Sequence, residues 1–292
     1  CILWDGKKLH GVNAYGRSPA GWTPERFAHL DQMPERGWAT VTVPGAVSAW
    51  VDLSSRFGRL PFAALFEPAI RHAEQGFPVS PVIGDLWRRG ADQLSRQPGF
   101  AEMFMPDGRA PEVGEVFHSA SLARTLQQIA ETKGEAFYRG ALAEKVAAFA
   151  RQHGAALGAE DLAQHRNDWC GTIRQEFGRV TLHEIPPNGQ GIAALMALGI
   201  LRETGFASLA PDSIDALHLQ IEAMKLAFAD LEAYCADPDH MTAVQPTHLL
   251  DPREGRRRAG LIDRGREQDF GACAPKEGGT VCLATADAEG MM

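Results

Sequence analysis

Near the end of the sequence a threonine follows two glycines, Gly278-Gly279-Thr280, and leads into the apolar stretch 281–286. Inside a chain a threonine hydroxyl is a poor nucleophile, because nothing guarantees a base beside it. At a new N-terminus the same residue carries its own base, an α-amino group with a pKa of about 7.7–8.0, poised for proton transfer at neutral pH. Gly278 and Gly279 reach backbone conformations closed to other residues, so the Gly279 carbonyl can be strained against the Thr280 hydroxyl. The plainer reading of the same residues is a Gly-Gly hinge ahead of a strand. Taken alone, the stretch leaves both open.

Three other places have residue types suited to chemistry. Gly189-Gln190-Gly191-Ile192-Ala193-Ala194 follows an expected strand and opens an expected helix, as a dinucleotide fingerprint does. Pro186-Pro187-Asn188 lengthens a turn that should be tight for a helix N-terminus to meet a pyrophosphate, and no strand follows to supply a ribose-binding acid. Nucleotide binding is therefore disfavoured. What remains is a rigid, glycine-lined loop whose N–H groups suit an anionic or carbonyl group. His218 and Glu222 stand one helical turn apart, a spacing metal sites use. No third ligand is evident, so an exposed or helix-packing pair is expected. His183 lacks a serine or cysteine at a telling spacing and reads as structural.

Local patterns predict the elements that must position these residues. Residues 1–4, Asp5-Gly6 and 9–14 read as strand, tight turn and strand. Residues 61–76 read as a helix with Leu65, Ala69, Ile70 and Ala73 on one face, interrupted by Pro68 and stopped by Gly76. Residues 80–118 read as short helices and loops. Ser119 and Ser121 are candidate caps for a helix carrying Leu122, Leu126 and Ile129, ending near Gly134. Further helices are expected over 141–151, around 160–162 and over 192–202, with a strand over 179–185. Ser213 caps the strongest helix, where Ile214, Leu217, Ile221, Met224, Phe228 and Leu231 form one apolar stripe. Asp237-Pro238-Asp239 reads as the turn that ends it. Residues 281–286 read as a strand covered on both faces.

Composition bounds the function. The chain has 292 residues, of which 45% are hydrophobic and 23% charged, enough for a sizeable core. A net charge of −8 argues against nucleic-acid backbone binding as the main activity. The basic run Arg256-Arg257-Arg258 lies in a segment, 251–269, with six Arg and five acidic residues, which reads as a solvated mixed-charge surface. The longest apolar run, 191–201, is too short to cross a bilayer. Five scattered cysteines suggest neither a zinc site nor a disulfide framework. The odd count favours a reducing compartment, with a periplasmic or secreted location left open.

Several ordered stretches together resemble the γ-glutamyltransferase family, the γ-glutamyl transpeptidases and their cephalosporin-acylase-like relatives among the N-terminal nucleophile hydrolases. They are GRSPAGWT (16–23), VTVPGAVSAW (41–50), RFGRLPFAALFEPAIRHAEQGFPVSP (56–81) and EAFYRGALAEKVA (135–147), followed by EDL (160–162) and IPPNGQG (185–191). The His-x-x-x-Glu-Ala of 218–223, Ala-Asp-Pro (236–238) and GGTVCLATADAEG (278–290) complete the set. The resemblance implies an α+β, four-layer αββα fold, of which this chain holds mostly the helix-rich large subunit. It implies a precursor that cuts itself between Gly279 and Thr280, making Thr280 the catalytic nucleophile. Residues 1–279 would then be large-subunit region and 280–292 the start of the small subunit, the two forming a heterodimer.

The implied activity is hydrolysis or transfer of a γ-glutamyl or related acyl group from a small molecule. The implied chemistry needs no cofactor and no metal. Val281 and Cys282 stand where many members carry a second Thr and a His, which resembles the acylase-like branch and leaves a glutaryl-type acylase as an alternative. An inactive fragment or pseudoenzyme is the alternative of a different class. True transpeptidases hold the substrate α-carboxylate with an arginine shortly before an Ala-Pro. Aligned on Ser18-Pro19, that position is Tyr15, with Arg17 two residues on. Tyr15, Arg17, Asn188, Gly189, Gln190 and Gly191 are thus the candidate substrate-binding residues.

Overall fold

The computed structural model describes residues 1–270 and 283–292. Its strands are β1 (Ile2–Trp4), β2 (Leu9–Asn13), β3 (Phe77–Pro78), β4 (Val116–Phe117), β5 (Asp168–Trp169), β6 (Ile173–Phe177) and β7 (Val180–Glu184). The longer helices are α1 (Ala46–Phe57), α2 (Glu67–Gln75), α3 (Pro81–Leu94), α4 (Ala120–Thr132), α5 (Ala141–Gln152), α6 (Gly191–Arg202), α7 (Ile214–Tyr234) and α8 (Pro252–Ala259). The chain forms two compact units, one of residues 1–13 with 168–292, the other of residues 14–167. Helices and small antiparallel sheets together make an α+β protein.

In the first unit, β1 and β2 form the expected hairpin. Gly6 takes φ 88° in the turn, and the Asp5 carboxylate accepts from the Lys7 and Lys8 N–H groups at 2.8 and 2.7 Å. β5 joins β2 on the far edge, giving the order β1-β2-β5. Gly11 is required there, because a Cβ would stand 1.8 Å from the Gly171 carbonyl oxygen. β6 and β7 form a second hairpin with Gln175 opposite Leu182. β6 was not anticipated from its sequence, because IRQEF alternates too weakly to announce itself without its partner.

α6 is apolar on nearly every side and is accordingly buried, with Ile192, Leu195 and Ile200 fully enclosed. α7 packs on it through Leu219, Ala223, Leu226 and Ala227. The stripe expected to be buried is instead largely the outer one. Ile214 is 84% exposed, and Leu217, Ile221 and Met224 are exposed with it, while Phe228 and Leu231 are half-buried. Both faces of α7 are apolar, and the alanine-rich face wins the core because small side chains let α6 and α7 approach closely.

α8 brings a second correction. Arg258 is not solvated but 4% exposed, paired with Asp230 of α7 and 3.8 Å from Glu254. Residues 283–286 also depart from expectation. They are exposed, Leu283 at 86%, and carry no strand pairing among the described residues, since a strand forms only against a neighbour.

The second unit is built around Val43, Val47, Phe62, Phe66, Ile129, Tyr138, Leu142 and Leu162. The expected helix over 61–76 is two pieces, a 3₁₀ turn (Phe62–Phe66) followed by α2. Pro68 falls in the first turn of α2, where its missing N–H costs nothing. The change of pitch buries Phe62 and Phe66 and leaves Leu65 and Ala69 exposed. α3 is longer than the loops and short helices expected over 80–118. Ser119 caps α4, accepting from the Leu122 N–H at 3.3 Å, and Lys133 and Gly134 end it at φ 49° and 82°.

Candidate active site

Gly279 and Thr280, the candidate cleavage point and nucleophile, lie outside the described residues. The loop expected to stand near them is described. After β7 the chain turns through Pro186 and the buried Pro187 into α6. Asn188 accepts at Oδ1 from the Asn13 amide at 2.8 Å, which ties the loop to the end of β2. Gln190 is the N-cap of α6, without a capping side chain.

The spacing of the glycines has separate causes. Around Gly189 there is open space, whereas a Cβ on Gly191 would fall 2.4 Å from Glu184 Oε2. The Glu184 carboxylate therefore lies against the first turn of α6, where a negative charge is favoured by the helix dipole. An anionic neighbour for this helix start was expected to come from a ligand. The chain supplies one itself.

Tyr15 and Arg17 belong to the second unit. Tyr15 is 61% exposed. The Arg17 carbonyl accepts from the Val43 N–H at 3.0 Å, so 15–17 runs beside 42–43. Contact there is close enough that a Cβ on Gly16 would lie 1.6 Å from the Val43 carbonyl oxygen.

The pair His218 and Glu222 divides. His218 Nε2 meets the Asp263 carbonyl at 2.9 Å. Glu222 is 1% exposed and accepts from Lys225 Nζ at 2.8 Å, whose charge lies over the Phe270 ring. Among the described residues no group of three His, Cys, Asp or Glu side chains could hold a metal. His183 Nδ1 meets the Thr172 hydroxyl at 3.1 Å, across the β6–β7 hairpin.

Sequence reasoning missed a polar cluster in the second unit. Ser48 Oγ lies 2.9 Å from His165 Nε2, 2.6 Å from Asn167 Oδ1 and 2.7 Å from the Gly45 carbonyl oxygen. The Asn167 amide donates to Asp52 at 2.7 Å, which fixes its oxygen toward Ser48. One hydroxyl proton faces two oxygen acceptors, an arrangement that favours the tautomer in which His165 Nε2 donates to Ser48 Oγ. A serine whose imidazole neighbour donates to it is not activated by that neighbour. Tyr138 donates to the Pro44 carbonyl at 2.8 Å, accepts from the Ser48 N–H at 3.0 Å and stacks on His165. Burial pushes its phenol pKa up. The cluster locks the start of α1 to residues 165–167. Separations near 117 positions gave no sequence signal for it.

Comparison with known proteins gives these residues a context. The family model described as Gamma-glutamyltranspeptidase matches residues 1–292. The chain is 33% identical over 288 residues to the oxamate amidohydrolase proenzyme of Klebsiella pneumoniae, covering 96% of this chain and 53% of that protein. It is 32% identical over 254 residues to the glutathione hydrolase-like YwrD proenzyme of Bacillus subtilis, covering 87% of this chain and 48% of the relative. Among solved structures, cephalosporin acylase from Bacillus halodurans superposes with a TM-score of 0.84 at 42% identity, over 90% of this chain and 50% of that one. The chain thus spans about half the length of the curated relatives it matches. With a family model matched from the first residue to the last, the chain belongs to the gamma-glutamyltranspeptidase family.

Proposed function

We propose that the complete protein is an amidohydrolase or acyltransferase whose nucleophile is Thr280, released by cleavage of the Gly279–Thr280 bond. The observation that carries the reading is the Gly278-Gly279-Thr280 step inside a chain matched throughout by this family. In cleavage, the Thr280 hydroxyl attacks the Gly279 carbonyl and the C–N bond breaks, giving an ester and a free α-amine. Water then opens the ester. In turnover, the same hydroxyl attacks a substrate amide while the α-amine takes its proton and passes it to the leaving amine. Water or an acceptor amine then removes the acyl group. The complete protein would fold as the four-layer αββα sandwich, with residues 1–279 forming part of its large subunit.

Two substrate readings share this machinery. γ-Glutamyl amides of the glutathione type are one, supported by the hydrolases among the relatives. Glutaryl-type amides are the other, supported by Val281 and Cys282, by the acylase relatives and by Tyr15. A bound α-carboxylate needs a charge-assisted partner, best a bidentate guanidinium, and Tyr15 offers one neutral hydroxyl. Arg17 is the one arginine two residues along. Slow-substrate trapping should leave the acyl group on the peptide that begins at Thr280. Next, kcat/KM for γ-glutamyl and glutaryl anilides would be compared in the wild type and in Arg17→Ala. Glutaryl turnover should exceed γ-glutamyl turnover, with Arg17→Ala lowering what γ-glutamyl turnover there is. Strong γ-glutamyl preference that survives Arg17→Ala contradicts the assignment of Arg17.

A further inference from the structure

Two glycines of the second unit allow one backbone to lie directly on another. A Cβ on Gly16 would stand 1.6 Å from the Val43 carbonyl oxygen, and a Cβ on Gly45 would stand 1.8 Å from that of Ala14. With the Val43 N–H donating to the Arg17 carbonyl at 3.0 Å, residues 14–17 and 43–45 run side by side in opposite directions. Gly16 is turned inward, and Tyr15 and Arg17 on either side of it are exposed. Where those two side chains stand is therefore set by the backbone of 43–45.

Side chains hold the carbonyls of that backbone. Tyr138, 5% exposed, donates to the Pro44 carbonyl at 2.8 Å and accepts from the Ser48 N–H at 3.0 Å. The Ser48 hydroxyl lies 2.7 Å from the Gly45 carbonyl oxygen, and His165 Cε1 lies 3.2 Å from the place of a Gly45 Cβ. Further along, Pro19 is fully buried and the Ala20 N–H donates to Asp161 at 2.8 Å. The downstream end of the segment is thus fixed independently, while its upstream end rests on 43–45. A buried carbonyl stripped of its donor is costly to leave unsatisfied, so loss of the Tyr138 or Ser48 hydroxyl shifts the backbone that Tyr15 and Arg17 depend on.

We propose that Tyr138 and Ser48 are positioning residues for substrate recognition. Through the Pro44 and Gly45 carbonyls they set where Tyr15 and Arg17 meet the carboxylate of the acyl group. The inference rests on the reading of Tyr15 and Arg17 as acyl-binding residues. It gives the polar cluster around Ser48 a task in specificity, although the cluster itself performs no chemistry. Its effect is selective, because only acyl groups long enough to reach Tyr15 and Arg17 are sensitive to it.

The test compares a γ-glutamyl anilide with a butyryl anilide, which ends before the carboxylate, on the full-length protein. Tyr138→Phe should raise KM for the γ-glutamyl substrate about tenfold with little change in kcat, and leave the butyryl substrate unaffected. Ser48→Ala should act in the same direction, and Ser48→Thr, which keeps the hydroxyl, should stay near wild type. An equal loss of kcat on both substrates is what a merely structural role gives, and overturns the proposal. Amide hydrogen exchange supplies a readout independent of substrate. The Val43 amide should exchange about tenfold faster in Tyr138→Phe, with Ala147 in α5 unchanged. Unchanged exchange at Val43 overturns the positioning role whatever the enzyme acts on. Tyr15→Phe and Arg17→Ala are the direct arms. If either raises KM for the γ-glutamyl substrate while Tyr138→Phe does not, the positioning role falls and the acyl-binding reading stands. If Val43 exchanges faster yet none of the variants moves KM, the acyl-binding reading falls and takes the inference with it.

Discussion

Two side chains bring local chemistry to the turns around β1 and α6. Asp5 accepts from His10 Nε2 at 2.8 Å and from two backbone N–H groups, and these bonds hold its carboxyl down to about 2. A lowered folded-state pKa means that the carboxylate's contribution is complete above its unfolded value of about 3.8 and disappears as pH falls toward about 2. The Tm difference between wild type and Asp5→Asn should thus be largest above about pH 4 and close as the solution is acidified. A difference that grows with acid would contradict the assignment. At Gly191 the constraint is steric, because the Glu184 carboxylate fills the space of a Cβ. Gly191→Ala should destabilise the protein by less than about 1 kcal/mol, because the end of the Glu184 side chain can swing aside, and adding Glu184→Ala should remove that cost. Purely additive losses in urea unfolding would show that something other than Glu184 sets the limit.

Among the elements, α6, α7 and α8 pack together and carry two ion pairs that each have an enclosed member, Glu222 with the half-buried Lys225 and Arg258 with Asp230. Removing one partner leaves the other charge buried alone, which costs far more than the pair itself contributes. Arg258→Ala should lower stability by about 3 kcal/mol, and the pair replacement Asp230→Leu with Arg258→Met by clearly less. Equal losses in the two variants, measured by chemical denaturation, would rule out the buried-charge explanation.

Periodicity and capping residues made α4, α5, α6 and α7 legible as sequence, as Ser119 and Ser213 show. They did not reveal which face of α7 is buried, because Ile221 and Leu219 are equally apolar and only the close approach to α6 chooses between them. Arg258 failed for a similar reason. Its partner Asp230 lies on another helix, and three consecutive arginines look alike until one of them is enclosed. The Ser48 cluster depends wholly on tertiary approach. The loop 185–191 was legible from its prolines and glycines, yet the carboxylate that explains Gly191 comes from β7.

At the scale of the whole molecule, the chain folds as two compact units and accounts for about half the length of its curated relatives. No helix among the described residues is long and apolar enough to cross a membrane. The outer face of α7 exposes Ile214, Leu217, Ile221 and Met224, an apolar patch on the surface of the first unit. Everything proposed about catalysis depends on residue 280 becoming an N-terminus. The most direct measurement is intact mass and N-terminal sequencing of the purified full-length protein, wild type and Thr280→Ala. Two polypeptides should appear in the wild type, the smaller beginning TVCLATAD, and a single uncut chain without activity in the variant. A wild-type enzyme that is fully active while remaining one uncut chain would contradict the account.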